Sequence, residues 1–300
     1  MTSHLCRYCR RASDPGQAVS CPWCGAPIDI RLKASESGWM EQPTIPSMTR
    51  LSCGKINCQI TGSYVPAAEF GLPADEWIYF SPHALQWADA VTALTPPSRG
   101  DGGMMKARGP GHVGVSENRA GELIAVPLKR RQKISVRQGR FLCATGNVRY
   151  QWESSCVHYL QFKGAETELE YPMGRYHLTF TAIGQQSLLL LHASGDTFIR
   201  DLADGESVLV RPTSLLYWED KTDLSLHLEY AYVPGKPKRR TLSRYRTLSR
   251  YRTIWLRLRG PGRVAVQSAY EQVEEAGAPD YSSFASWHRW PAPSTTTGPE

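Results

Sequence analysis

The sequence has no apolar run approaching the roughly eighteen residues that a membrane-crossing helix needs, so a helical span is excluded. It contains no G-x-S-x-G elbow, no Walker loop and no dinucleotide fingerprint, which removes the commonest sequence grounds for hydrolase, nucleotidase or dehydrogenase chemistry. Gly109-Pro110-Gly111 resembles a phosphate loop only superficially, because proline lacks the N–H donor and no helical pattern follows. Helical periodicity persists nowhere for three turns. Between Met1 and Leu32 no apolar run is long enough for a secretion signal, so the expected setting is a reducing cytoplasm, with contact at a membrane surface left open.

What is present begins with cysteine. Four of the eight cysteines are grouped as Cys6-x2-Cys9 and Cys21-x2-Cys24, eleven residues apart. Two residues between paired cysteines let each pair wrap one side of a tetrahedral ion as a tight knuckle, and Gly25 suits the positive φ such a turn often takes. Two disulfides would need an oxidising compartment, and a redox pair would normally open a helix after a strand. The spacing therefore predicts a zinc ribbon over residues 1–32, holding one structural Zn2+ on Cys6, Cys9, Cys21 and Cys24. About thirty residues bury too little apolar surface to fold unaided, so the metal supplies the folding free energy. Tyr8 and Trp23 lie inside the knuckles, and Arg7, Arg10 and Arg11 surround the first. The remaining four cysteines, Cys53, Cys58, Cys143 and Cys156, lack ligand spacing and are expected as buried thiols, with Cys53 and Cys58 on opposite faces of one strand.

Acidic residues are missing from one stretch. Lys236 to Arg259 carries ten basic residues and no acidic one, so the net charge of +7 falls to −3 once these ten are set aside. Within this stretch Thr241 to Arg246 (TLSRYR) is repeated directly as Thr247 to Arg252, and an insertion of six keeps the inward face of a hairpin unchanged. The bland reading is a solvated hairpin tip. Its rival is an anion-binding finger in which Lys238, Arg239, Arg240, Arg244, Arg246, Arg250 and Arg252 meet phosphates while Tyr245 and Tyr251 stack on bases or enter a headgroup layer.

Residues 33–49 are polar with Pro43 and Pro46 and read as a linker. From 50 to 270 short β-rich runs alternate with Gly, Pro, Asn or Asp, which predicts a mainly β body, a sandwich or barrel, with the basic hairpin insertion at 234–253. Three segments align without gaps from Leu72, Leu128 and Leu202. Position +6 is Ile78, Ile134 or Val208, position +8 is Phe80, Val136 or Val210, and position +13 is Leu85, Phe141 or Leu215. Each segment is thus a hairpin with one buried face. A second element, Gly109 to Ser116, matches Gly260 to Ser268, with a degenerate copy running from Gly184 to Leu190. Residues 271–300 begin acidic and end rich in Pro, Ser and Thr, so a disordered tail is expected, with Trp287 and Trp290 unusual in it.

These strands and hairpins resemble the family named for "altered inheritance of mitochondria" protein twenty-four, over about Leu51 to Ala269. The resemblance implies a double-stranded β-helix related to the trp RNA-binding attenuator fold and a mostly non-enzymatic role, and it carries no agreed catalytic residues. The ribbon and the Arg/Tyr insertion depart from the family pattern. Because double-stranded β-helices often host metal oxygenases, His227-Leu228-Glu229 has the local spacing of a ligand pair. Leu224, Leu226 and Leu228 occupy the other strand face, so His227 and Glu229 are expected to face solvent. The functional expectation is a non-enzymatic binding or scaffold protein whose ribbon is an interaction module. Its partner would be a protein, a second copy of itself or an anionic membrane surface, and nucleic acid is the alternative. No small-molecule substrate is indicated.

Overall fold

A computed structural model describes residues 4–6, 9–13, 21–24, 35–42, 45, 47–97, 103–163, 166–230 and 252–269. The expected mainly β architecture is what it contains: antiparallel sheets packed as sandwiches, two single-turn 3-10 segments at Pro82–Ala84 and Pro212–Ser214, and no α-helix among the described residues.

Four larger sheets make the body. In spatial order the first holds Thr49–Cys53, Ile56–Thr61, Ala67–Leu72, Gly111–Ser116 and Leu85–Ala88. A second holds Glu122–Leu128, Ser187–Ala193, Phe141–Thr145, Trp77–Phe80, Met105–Arg108 and Ala93–Thr95. The third runs from Val148–Ser154 through Tyr176–Ala182, Lys133–Arg137, Leu215–Glu219, Gly262–Gln267 and Thr197–Leu202 to Met40–Glu41. Ser207–Val210, Arg252–Arg259 and Asp223–Tyr230 form the fourth.

Three apolar cores lie between successive sheets. Leu51, Cys58, Phe70, Val113 and Val115 of the first sheet meet Ile78, Phe80, Leu142, Cys143, Leu188 and Leu190 of the second. On the opposite face of the second sheet, Tyr79, Ile124, Phe141, Leu189 and Leu191 meet Ile134, Val136, Leu178, Phe180 and Tyr217 of the third. Leu202, Leu215, Trp218 and Val264 on the other side of the third sheet meet Val208, Val210, Leu256 and Leu258 of the fourth. Rings bind the middle core: Tyr79 lies 4.8 Å from Tyr150 and 5.7 Å from Phe141, which is 4.9 Å from Phe180. Offset and tilted contacts of this kind add to simple area burial.

The three aligned segments occupy matching places. Positions +6 and +8 are buried in each, and +13 opens the next strand, buried at Phe141 and Leu215 and half-buried at Leu85. Backbone bonds recur at the same offsets: the +4 N–H donates to the +1 carbonyl at Glu76, Gln132 and Glu206, and the +12 N–H to the +9 carbonyl at Ala84, Arg140 and Ser214. In each segment the pairing register shifts just after +13.

Gly109-Pro110 and Gly260-Pro261 are both cis, and the flanking glycines are required for space. A Cβ on Gly109 would stand 2.1 Å from the Pro73 carbonyl oxygen, and one on Gly260 would stand 2.3 Å from that of Ala203. Gly111 and Gly262, at φ 128° and 143°, lie against the hydroxyls of Thr92 and Thr222.

Three expectations are corrected. The aligned segments are not hairpins: Trp77–Phe80 and Leu85–Ala88, Lys133–Arg137 and Phe141–Thr145, and Ser207–Val210 and Leu215–Glu219 lie in different sheets, so each segment crosses from one layer to the next. Cys53 and Cys58 do not share a strand: Gly54, at φ 65°, turns the chain so that Cys53 ends one strand and Cys58 sits in the next. Nor are all four outlying cysteines buried, since Cys156 is exposed and Cys53 half-buried. Within the segment read as a linker, Met40–Glu41 pairs with Phe198 and Ile199. Residues 271–300, with Trp287 and Trp290, lie outside the described residues.

Gly109→Ala and Gly260→Ala should each cost about 2–3 kcal/mol, because the clash is with backbone that cannot swing aside. A thermal melt that moved by no more than a degree for either variant would contradict this packing.

Candidate metal centre

The first knuckle closes a two-stranded ribbon in which His4 faces Ser13 and Leu5 faces Ala12. The Cys6 N–H donates to the Arg11 carbonyl at 3.1 Å, and the Arg10 N–H returns to the Cys6 carbonyl at 2.9 Å. That loop is so tight that Arg10 takes a left-handed φ of 57°, the conformation that glycine adopts without steric cost. Gly25, expected in that role after the second knuckle, lies outside the described residues, as do Arg7 and Tyr8.

The four sulfurs converge. Cys6 Sγ lies 3.6 Å from Cys24 Sγ and Cys9 Sγ 3.7 Å from Cys21 Sγ, and all four are within 4.8 Å of one another. A tetrahedral ion with metal–sulfur bonds of about 2.3 Å requires sulfur–sulfur separations of about 3.8 Å. Disulfide bonds at about 2.05 Å do not fit these distances, and the cysteines are free. The set therefore could bind a metal through four thiolates.

Local electrostatics favour thiolate. Burial alone would raise the Cys21 thiol, but the Trp23 and Cys24 N–H groups and the neighbouring Cys9 and Cys6 thiols outweigh it and bring it down to about 7. Cys6, Cys21 and Cys24 are buried and belong to the same apolar cluster as Leu51 and Cys58. Trp23, by contrast, is 58% exposed, with the Arg11 guanidinium 5.2 Å from its ring centroid. One exposed cation–aromatic pair thus bridges the two knuckles.

Of the other residues singled out, Lys238, Arg239, Arg240, Arg244, Tyr245, Arg246, Arg250 and Tyr251 lie outside the described residues. Arg252 opens the strand that pairs with Asp223–Tyr230, facing Tyr230, so the basic segment connects these two strands. His227 Nδ1 accepts from the Arg257 guanidinium at 2.9 Å, and Glu229 accepts from the Trp255 indole N–H at 3.0 Å. Both are engaged across the strand pair.

Sequence reasoning missed two polar clusters, one assembled from distant strands and one from a loop and a 3-10 turn. One is a cleft of about 480 Å³ lined by Ser135, Glu153, Cys156, His177, Trp218 and Asp220. Lys133 Nζ lies 2.7 Å from Asp220 and 3.7 Å from Glu153, whose other oxygen is 3.5 Å from His177 Nε2. Burial pulls the His177 imidazole below its ordinary value, against the attraction of Glu153. In the second, the buried Glu117 carboxylate accepts from Arg119 at 2.8 Å and contacts His83 at 3.2 Å, and it titrates below its ordinary range although burial alone would raise it. No spacing rule connects His177, Glu153 and Lys133, or Glu117 and His83, which come together only in the folded chain.

Nearby, Glu122 is pushed up to about 7 by burial, with Asp196 and Glu41 adding repulsion. Between its unfolded value of 4.5 and about 7 the folded chain holds the extra proton, so stability falls as pH rises through this window.

In class, the chain is an antiparallel β-sandwich protein carrying a four-cysteine cluster able to bind a metal. By sequence it belongs to the family described as mitochondrial biogenesis AIM24, which it matches over residues 58–269. No curated protein matches it. Among solved structures it is similar to protein SPYM3_0169 from Streptococcus pyogenes, with 16% identity and a TM-score of 0.50, covering 78% of this chain and 98% of that one. At that identity the likeness is one of fold. Among the described residues no helix is long and apolar enough to cross a membrane.

Arg10→Gly should relieve about 1 kcal/mol of backbone strain and tighten metal binding roughly fivefold in chelator competition; unchanged or weaker binding would contradict it. Glu122→Gln should melt higher than the parent at about pH 8 and level with it at about pH 4, a difference that equal shifts at both pH values would overturn.

Proposed function

We propose that the protein is a non-enzymatic binding or scaffold member of the AIM24 family, in which a structural zinc holds the N-terminal knuckles as an interaction module. The observation that carries this reading is the tetrahedral spacing of the four sulfurs. Four thiolates are the donor set that suits zinc, and they leave no coordination position for water or substrate. The metal's contribution is then to fix the surface around Trp23 and Arg11. An exposed aromatic ring beside a guanidinium suits a protein contact. The partner is a protein, including a second copy of this chain, and the body supplies the frame that presents the module.

A second reading, nucleic-acid binding, is favoured by one observation: ten basic and no acidic residues between Lys236 and Arg259. Phosphate contacts would make affinity fall steeply with salt. The same charge would draw the chain to anionic lipid, so co-sedimentation with anionic vesicles, with and without residues 236–252, separates these partners from a merely solvated loop.

Elemental analysis should find one zinc per chain, lost in Cys21→Ser/Cys24→Ser. Chelation should unfold the ribbon and leave the main thermal transition of the body in place. Zinc content near zero in protein purified without chelator would sink the metal assignment, and loss of the whole fold on chelation would sink the division of labour between ribbon and body.

A further inference from the structure

Two of the joints in the body are built alike. Positions +6, +7 and +8 of the first aligned segment, Ile78, Tyr79 and Phe80, pair antiparallel with +17, +16 and +15 of the second, Thr145, Ala144 and Cys143. Ile134, Ser135 and Val136 of the second pair with Glu219, Trp218 and Tyr217 of the third, again +6, +7, +8 to +17, +16, +15. What remains is one half-joint at each end: Val208, Leu209 and Val210 of the third segment, and Asp89, Ala88 and Trp87 of the first. Among the described residues Ser207–Val210 pairs only with Arg252–Arg259, and Leu85–Ala88 only with Gly111–Ser116, so both are sheet edges.

Exposure marks the same two places. At position +7 Tyr79 and Ser135 are 1% and 5% exposed, whereas Leu209 is 40% exposed. At +15 Cys143 and Tyr217 are 0% and 3% exposed, whereas Trp87 is 44% exposed. Residues covered in the two formed joints are partly exposed at the unformed ends, Trp87 lying with its ring over Gly114 of the same chain.

We propose that these edges are the two sides of a third such joint made between copies of this chain, Val208–Val210 of one copy adding to Trp87–Asp89 of the next. This gives the self-association in the reading above a surface, and rests on that reading in this respect alone. Residues directly opposite in a sheet point to one face. Trp87 of one copy would therefore stand beside Val210, extending the core that contains Leu215, Leu256 and Leu258. Leu209 would stand beside Ala88, against the core that contains Phe70 and Val113. Each partly exposed side chain thus meets the apolar interior of the other copy, and the edge backbones gain a partner strand. Because the two sides differ, the contact is head-to-tail and propagates, ending only when a ring closes or ends are capped.

Sedimentation velocity of the full zinc-loaded chain over a concentration series should show self-association that Trp87→Glu and Leu209→Glu each weaken at least tenfold. Both positions are exposed, and an unchanged melting temperature would confirm that each variant folds. In a Cys156→Ser background, mixing Ala88→Cys with Leu209→Cys and oxidising should give a cross-linked pair that neither variant gives alone, since directly opposite positions suit a disulfide. Association that both glutamate variants leave intact, with no mixed cross-link, would overturn this joint but keep self-association. A chain that stays monomeric throughout, as it would if its own C-terminal segment covered either edge, would overturn both.

Discussion

Sharing of a sheet between neighbouring sandwiches is the constraint from which the rest of this structure follows. Trp77–Phe80 belongs by sequence to one aligned segment and is hydrogen-bonded to a strand of the next, Phe141–Thr145. Once two segments share a layer, that layer must be apolar on both faces. Ser187–Ala193 accordingly reads SLLLLHA and is buried at every position. The solvent-facing strand faces are left to the outer sheets, where the polar Glu69 and Arg257 and the apolar Trp87 and Leu209 meet solvent.

The same constraint explains what could be read in the sequence. Ile78/Phe80, Ile134/Val136 and Val208/Val210 were legible by their period of two, but a single buried face holds only for Val208/Val210, since Tyr79 and Ser135 between the other pairs are buried as well. Ser187–Ala193 offers no alternation, and its alignment from Gly184 slips by one residue. Pairing sets Leu191 opposite Phe141, as Val115 is opposite Leu85 and Val266 opposite Leu215, where the sequence match would have used Leu190. A strand buried on both faces loses little on paper by sliding one residue, and only the neighbours fix its register.

The site divides in the same way. Cys6, Cys9, Cys21 and Cys24 were legible because a metal imposes a spacing on the chain itself. His177, Glu153 and Lys133 were not, because they meet through register between strands far apart in sequence, and Glu117 meets His83 only because the fold brings a connecting loop against a 3-10 turn. The basic run announces a charge and says nothing about its target, since a phosphate on lipid and one on nucleic acid offer the same oxygens.

Leu188 to Leu191 lie where two cores touch through the thickness of a single sheet. Water can reach their amides from neither side without first parting one of those cores. Opening either core strips one face of the layer on which the other rests, so the sandwiches are joined in time as well as in space. Their backbone hydrogens should be among the last in the molecule to be traded with solvent, a clock set by the whole stack and by no single sheet.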